Sequence, residues 1–96
     1  MRSIALTQSQ LELVRNILAA YHREFHAFGS RVNGTERPLS DLDILSKLPL
    51  TKVQVSTINE AFEESNLPFK VDLILWGQID ANFQQRIAAD LVPIFN

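Results

Sequence analysis

Residues 69–76, Phe69-Lys70-Val71-Asp72-Leu73-Ile74-Leu75-Trp76, form the most strand-like stretch of the chain, and one residue in it is out of character. Aspartate is among the residues most depleted from strands. On an extended backbone Asp72 shares a face with Ile74 and Trp76, while Val71, Leu73 and Leu75 point the other way. A second stretch, Asp41-Leu42-Asp43-Ile44-Leu45, repeats the anomaly: Asp41 and Asp43 share one face, Leu42 and Ile44 the other. Three of the five aspartates therefore fall in the two most convincing strands. The economical arrangement lays helices on the Leu42/Ile44/Val71/Leu73/Leu75 face and gathers Asp41, Asp43 and Asp72 on the opposite one.

Outward from these strands, the helices announce their own starts. Thr7 and Gln10 make a capping box with Leu6 and Leu11 as its hydrophobic staple. Leu11, Val14, Leu18 and Tyr21 continue at helical spacing, which predicts a helix over 8–21. Thr51 and Gln54, flanked by Leu50 and Val55, repeat the signature, and Ile58 and Phe62 follow it. That helix should stop near Asn66, because Pro68 disfavours helical geometry in the residue before it. Between the helices, Glu24 to Phe28 reads as a short strand closed by Gly29. Residues 30–40, with Asn33-Gly34 and Pro38, read as a loop that could hold one helical turn. Asp80 caps a last helix running through Phe83, Ile87 and Leu91, with Pro93 near its end. The expected fold is α/β (α+β): a small three-stranded mixed sheet with room for an edge strand, helices on one face and the other face open.

Composition narrows the function classes. At 96 residues with 46% hydrophobic and 21% charged, the chain reads as one domain, 1–96, able to build a core. Having no cysteine excludes disulfides, thiolate catalysis and Cys-ligated zinc. A net charge of −2 with scattered Lys and Arg offers no basic face for nucleic acid. No apolar run reaches the roughly 18–20 residues of a membrane helix, and the N-terminus turns polar too soon for a secretory signal. A cytoplasmic setting is expected.

Three carboxylates on one face repel unless one takes a proton or cations sit among them. Oxygen-only donors of this kind suit Mg²⁺ or Mn²⁺, and paired ions can stabilise both attacking and leaving oxygens of a phosphoryl or nucleotidyl transfer. The plainer reading has Asp41 merely start a strand or cap a turn and makes Asp72 a partner for Lys70. The segment upstream favours the chemistry. Gly29 and Ser30 follow a strand, where a glycine lets backbone N–H groups approach a phosphate and a serine adds a donor. Arg31 and Arg37 in the same loop could offset further phosphate charge.

The run from Phe28 to Asp43, with Gly29-Ser30, ten intervening residues, then Asp41-Leu42-Asp43, resembles the Gly-Ser-x10-Asp-x-Asp signature of the DNA polymerase beta-like nucleotidyltransferases. More narrowly, the chain resembles the minimal nucleotidyltransferases, whose third carboxylate matches Asp72 in Lys70-Val71-Asp72-Leu73. The resemblance implies a polymerase beta palm-like fold. It implies that Gly29 and Ser30 hold the nucleotide's phosphates and that Asp41, Asp43 and Asp72 are catalytic and bind two Mg²⁺ ions. It also implies ATP as substrate and a hetero-oligomeric pairing with a HEPN-domain toxin (the higher eukaryote and prokaryote nucleotide-binding all-helical domain). In such type VII-like modules the nucleotidyltransferase is the antitoxin and transfers AMP to a tyrosine of the toxin. The alternative is a non-catalytic antitoxin that neutralises its partner by binding alone, since 96 residues leave little surface for an acceptor pocket.

Other residues read more plainly. His22 and His26 are taken as structural or surface residues, and Trp76 as capping the core edge rather than stacking on adenine. Glu60, Glu63 and Glu64 form a solvated helix side. Phe83, Ile87, Leu91 and Phe95 are either core or a docking edge.

Overall fold

The two capping boxes fix where the long helices begin. The computed structural model describes residues 3–96. In chain order its elements are α1 (Gln8–Leu18), β1 (Phe25–Phe28), α2 (Ser30–Asn33), β2 (Leu42–Ser46), α3 (Lys52–Glu63), β3 (Val71–Leu75), α4 (Ala81–Ala88) and β4 (Val92–Pro93). A single 3-10 turn, Trp76–Gln78, joins β3 to α4. At α1 the Thr7 hydroxyl accepts the Gln10 N–H at 3.1 Å while Gln10 Oε1 accepts the Thr7 N–H at 3.0 Å. Thr51 and Gln54 repeat this at α3, at 3.1 and 2.9 Å. Asp80 caps α4 by accepting the Phe83 N–H at 2.8 Å. Each such cap is worth about 1 kcal/mol because it satisfies donors that a helix start leaves orphaned.

The sheet runs β3-β2-β1-β4, with β2 and β3 parallel and β1 antiparallel to both its neighbours. Parallel strands need a crossover, and α3 supplies it. The inner face carries Phe25, Ala27, Leu42 and Ile44, all fully buried, under Val14 and Leu18 of α1 and Ile58 and Phe62 of α3. Val71 and Leu73 pack against the same core. The face assignment read from the strands holds, and so does the mixed α/β class.

Two bounds shift slightly: β2 begins at Leu42, which leaves Asp41 just ahead of the strand, and α3 ends at Glu63 rather than near Asn66. Four further details differ from the sequence expectation, each for a tertiary reason. Helix α1 stops at Leu18 rather than Tyr21, since the Tyr21 N–H turns back to Leu18 O at 3.0 Å and the following His22 ring stacks on Phe25 at 4.0 Å. Strand β3 is shorter than 69–76: Phe69 is buried ahead of it and Trp76 leaves it for the 3-10 turn. Helix α4 ends at Ala88, short of Leu91, because Val92 pairs with Ala27 and Pro93 with His26 as a fourth, edge strand. A proline is tolerated there because an edge position can do without its N–H. Finally, the second sheet face is not wholly open. Phe83 of α4 meets Phe28 edge-on at 6.3 Å, and Leu45 on that face is fully buried. Among the described residues no helix is long and apolar enough to cross a membrane.

Candidate active site

Asp43 is the hub. It stands in register with Asp72 on parallel β3 and with Phe28 on antiparallel β1. Paired strands lie about 4.8 Å apart, so the two carboxylates leave the sheet side by side on its outer face. Asp41 is exposed in the residue before β2. Burial pushes the Asp43 carboxyl above its ordinary value of 3.8, and the charges of Asp72 and Asp41 push it the same way. Asp43 thus feels the like charges of both other aspartates singled out from the sequence.

The turn after β1 closes over that cluster. Gly29 has φ 83° and ψ −153°, a backbone region that side chains exclude. A Cβ there would lie 2.5 Å from Asp43 Oδ2, so only glycine lets the turn approach the acid so closely. Ser30 opens α2, whose first turn has no side-chain cap; Gly29 O accepts the Val32 and Asn33 N–H groups, both at 3.1 Å. Gly29 therefore sits directly against Asp43, and Ser30 follows it as the first residue of α2.

Asp72 also meets Lys70, whose Nζ is 3.5 Å from its Oδ1. Both side chains are well exposed, so the pair is weak and easily exchanged for another cation. Among the described residues no three Asp, Glu or His side chains close into a ready metal cage. The donor set still fits a hard divalent ion: it is all carboxylate oxygen, it concentrates negative charge at Asp43, and it faces a cradle that a Cβ would fill.

Arg31 departs from expectation. It is not held out for phosphate but buried at 5% exposure, its guanidinium 4.0 Å from the centre of the Phe69 ring. Its nitrogens donate to Ala5 O at 2.7 Å, Ser40 O at 3.0 Å, Pro38 O at 3.1 Å and Arg37 O at 3.4 Å. It ties the N-terminal segment to the loop that delivers Asp41, which makes it a positioning residue. The available signal was the loop itself: residues 35–40 lack regular structure, so their carbonyls need donors from elsewhere. Arg37 remains exposed.

The contacts of the two histidines and Trp76 lie away from Asp41, Asp43 and Asp72. His22 Nδ1 accepts the Glu24 N–H at 2.9 Å, so its proton sits on Nε2 and points at Ser46 Oγ, also at 2.9 Å. The Ser46 hydroxyl in turn donates to Leu48 O at 2.6 Å. Desolvation lowers the His22 pKa, with Glu24 opposing. His26 is likewise lowered, by burial and then by Lys47, and its buried Nδ1 has no hydrogen-bond partner among the described residues. The Trp76 ring packs under Lys47 at 4.5 Å. Ile94 and Phe95 are core: Arg15 Nε donates to Ile94 O at 2.7 Å and Arg23 covers Phe95 at 4.9 Å.

Comparison with known proteins accords with this geometry. Residues 11–94 match the family model of the nucleotidyltransferase domain. The chain is also 37% identical over 93 residues to a protein of Haemophilus influenzae named "Probable protein adenylyltransferase MntA", an alignment covering 93% of this chain and 82% of that protein.

Proposed function

This chain belongs to the nucleotidyltransferase domain family and is a transferase of that kind, and from that premise we propose that it moves AMP from ATP onto a tyrosine hydroxyl of a HEPN-domain toxin. In this reading the whole chain, 1–96, is one catalytic unit acting in the cytoplasm as the antitoxin of the pair. The observation that carries the chemistry is the facing of Asp43 and Asp72 across β2 and β3, with Asp41 at the strand entrance and Gly29 against Asp43. The 37% identity to a protein adenylyltransferase supports AMP and a protein acceptor.

The residues divide the work. Gly29 and Ser30 present backbone N–H groups and a hydroxyl to the nucleotide's phosphate oxygens. Asp41, Asp43 and Asp72 would hold two Mg²⁺ ions. Bound divalent ions would supply charge stabilisation for the attacking oxygen and for the departing pyrophosphate. The acceptor oxygen bonds to the α-phosphorus as the bond to the β-phosphate oxygen breaks, and pyrophosphate leaves. Asp72, whose side chain is 43% exposed, orients and activates the incoming hydroxyl in this reading. Its side chain lies near the surface beside Lys70, where an acceptor arrives.

The test is mass spectrometry of the HEPN-domain protein from the neighbouring reading frame after incubation with this chain, ATP and Mg²⁺. A gain of one or more adenylyl groups on tyrosine is expected. Protection of cells by an Asp41/Asp43/Asp72→Asn triple variant, with no adenylyl gain, would instead establish neutralisation by binding alone.

A further inference from the structure

Strand β3 ends the sheet, and its outer edge has no strand partner among the described residues. The Leu42 N–H donates to Lys70 O at 2.9 Å, which sets the alternation along the strand. Asp72 and Ile74 turn their backbone groups to β2, so Val71, Leu73 and Leu75 turn theirs outward. Along this edge runs a groove of about 1000 Å³ between β3 and α3, with Leu50, Val55, Leu73, Leu75 and Ile79 among its apolar lining. It shares Asn59, Glu63 and Leu73 with a second hollow of about 340 Å³ that reaches Lys70 and Asp72. The unpaired edge thus leads from an apolar floor to the acid cluster.

We propose that this trench is the docking track for the acceptor protein: an extended apolar segment, flanked by Lys or Arg, adds to β3 as a fifth strand and delivers its hydroxyl toward Asp72. Naming the occupant as the acceptor rests on the transfer reading above. Strand addition takes affinity from backbone hydrogen bonds and specificity from pockets for alternate side chains, and the trench offers both. Protein edges are ordinarily blunted with prolines, bulges or charges. Within β3 the residues whose backbone faces outward are Val71, Leu73 and Leu75, and none of them is charged. The rim chooses the partner. Exposed Glu60 and Glu63 of α3 and Glu64 at its C-terminal cap line the groove, and Glu63 with Asp72 lines the adjoining hollow, so the acids outnumber Lys52 and Lys70. Such a rim attracts a basic-flanked peptide and repels RNA, and in a second copy of this chain it would meet its own charge.

The test uses the Glu60→Lys/Glu64→Lys double variant, whose altered residues lie on the solvent side of α3, together with the HEPN-domain protein as acceptor. Calorimetric affinity should fall by at least about tenfold, with KM for the acceptor rising in step and kcat unchanged at saturation. In the unsubstituted chain, acceptor binding should slow amide exchange at Val71, Leu73 and Leu75. Unchanged affinity in the variant, or no slowing at those amides, overturns the track while leaving adenylyl transfer standing. Weakened binding without any transfer by the unsubstituted chain upholds the track as a docking surface and sinks the transfer reading. Slowing produced by a concentration-dependent dimer of the chain itself, or no binding at all, overturns the acceptor assignment.

Discussion

Leu42 and Ile44 alternate with Asp41 and Asp43 along one short stretch, and the two sets obey opposite rules. Leu42 and Ile44 are fully buried beneath α1 and α3, where every contact is mutually supportive. Asp43, one residue away, is half-buried among charges of its own sign, and its carboxyl is driven upward by burial and by Asp72 and Asp41. One face stabilises the fold; the other spends some of that stability on a poised charge cluster. Local rules broken at one place and obeyed everywhere around it mark a functional site.

Substitutions on the two faces should therefore have opposite signatures. The largest effect belongs to Asp43→Asn, which should lower the rate of AMP transfer from α-labelled ATP by about 10³-fold or more, about 4 kcal/mol in the barrier. The same change removes a repelled charge, so Tm by calorimetry should rise by about 2–4 °C rather than fall. On the other face, Ile44→Ala should cost about 2–4 kcal/mol of unfolding free energy in urea titration, through lost burial and the cavity left behind. At a temperature where that variant remains folded, its transfer rate should stay within a few fold of normal.

How much of this was legible follows the same division. The helix starts at Thr7 and Thr51 and the opposed faces of β2 and β3 depend on neighbours within four residues, and the sequence alone placed them. What escaped depends on contacts across the fold. Val92 and Pro93 form a strand only because β1 offers an edge, and α4 closes part of the second face through the contact of Phe83 with Phe28. In the site, the pairing of Asp41 with Asp43 was readable from their two-residue spacing. The facing of Asp72 needed the parallel register of β2 and β3, which no local pattern fixes. Arg31 shows the limit most sharply: a basic residue beside Gly29-Ser30 invites a phosphate, yet its donors are spent on backbone carbonyls.

Arg31 gives the intermediate test. Lysine cannot reproduce a planar fork reaching several carbonyls, so Arg31→Lys should destabilise by about 1–3 kcal/mol. Because the loop carries Asp41, this variant should also lose transfer activity more steeply than Ile44→Ala at equal stability. The smallest effect is a pH dependence from His22. Its folded pKa lies below the ordinary 6.5, so the neutral ring is the native form. Its contribution is therefore complete above about pH 6.5 and declines as pH falls through the folded value, where protonation breaks the Glu24 N–H bond to Nδ1. His22→Gln should flatten that acidic slope in Tm measured from pH 7 to 5. Asp43 has the opposite sign, since its penalty is present above its raised folded pKa and is relieved as pH falls through it.

The account turns on whether the acids beside Gly29 act together as one cation-binding centre. Addition of Mn²⁺ to the isotope-labelled chain, read through paramagnetic broadening of backbone amide signals, asks this without requiring an acceptor. The expected result is broadening centred on Gly29, Ser30, Asp41, Asp43 and Asp72 that disappears in Asp43→Asn. Broadening centred instead on the Glu60/Glu63/Glu64 rim, or unchanged by Asp43→Asn, would contradict it.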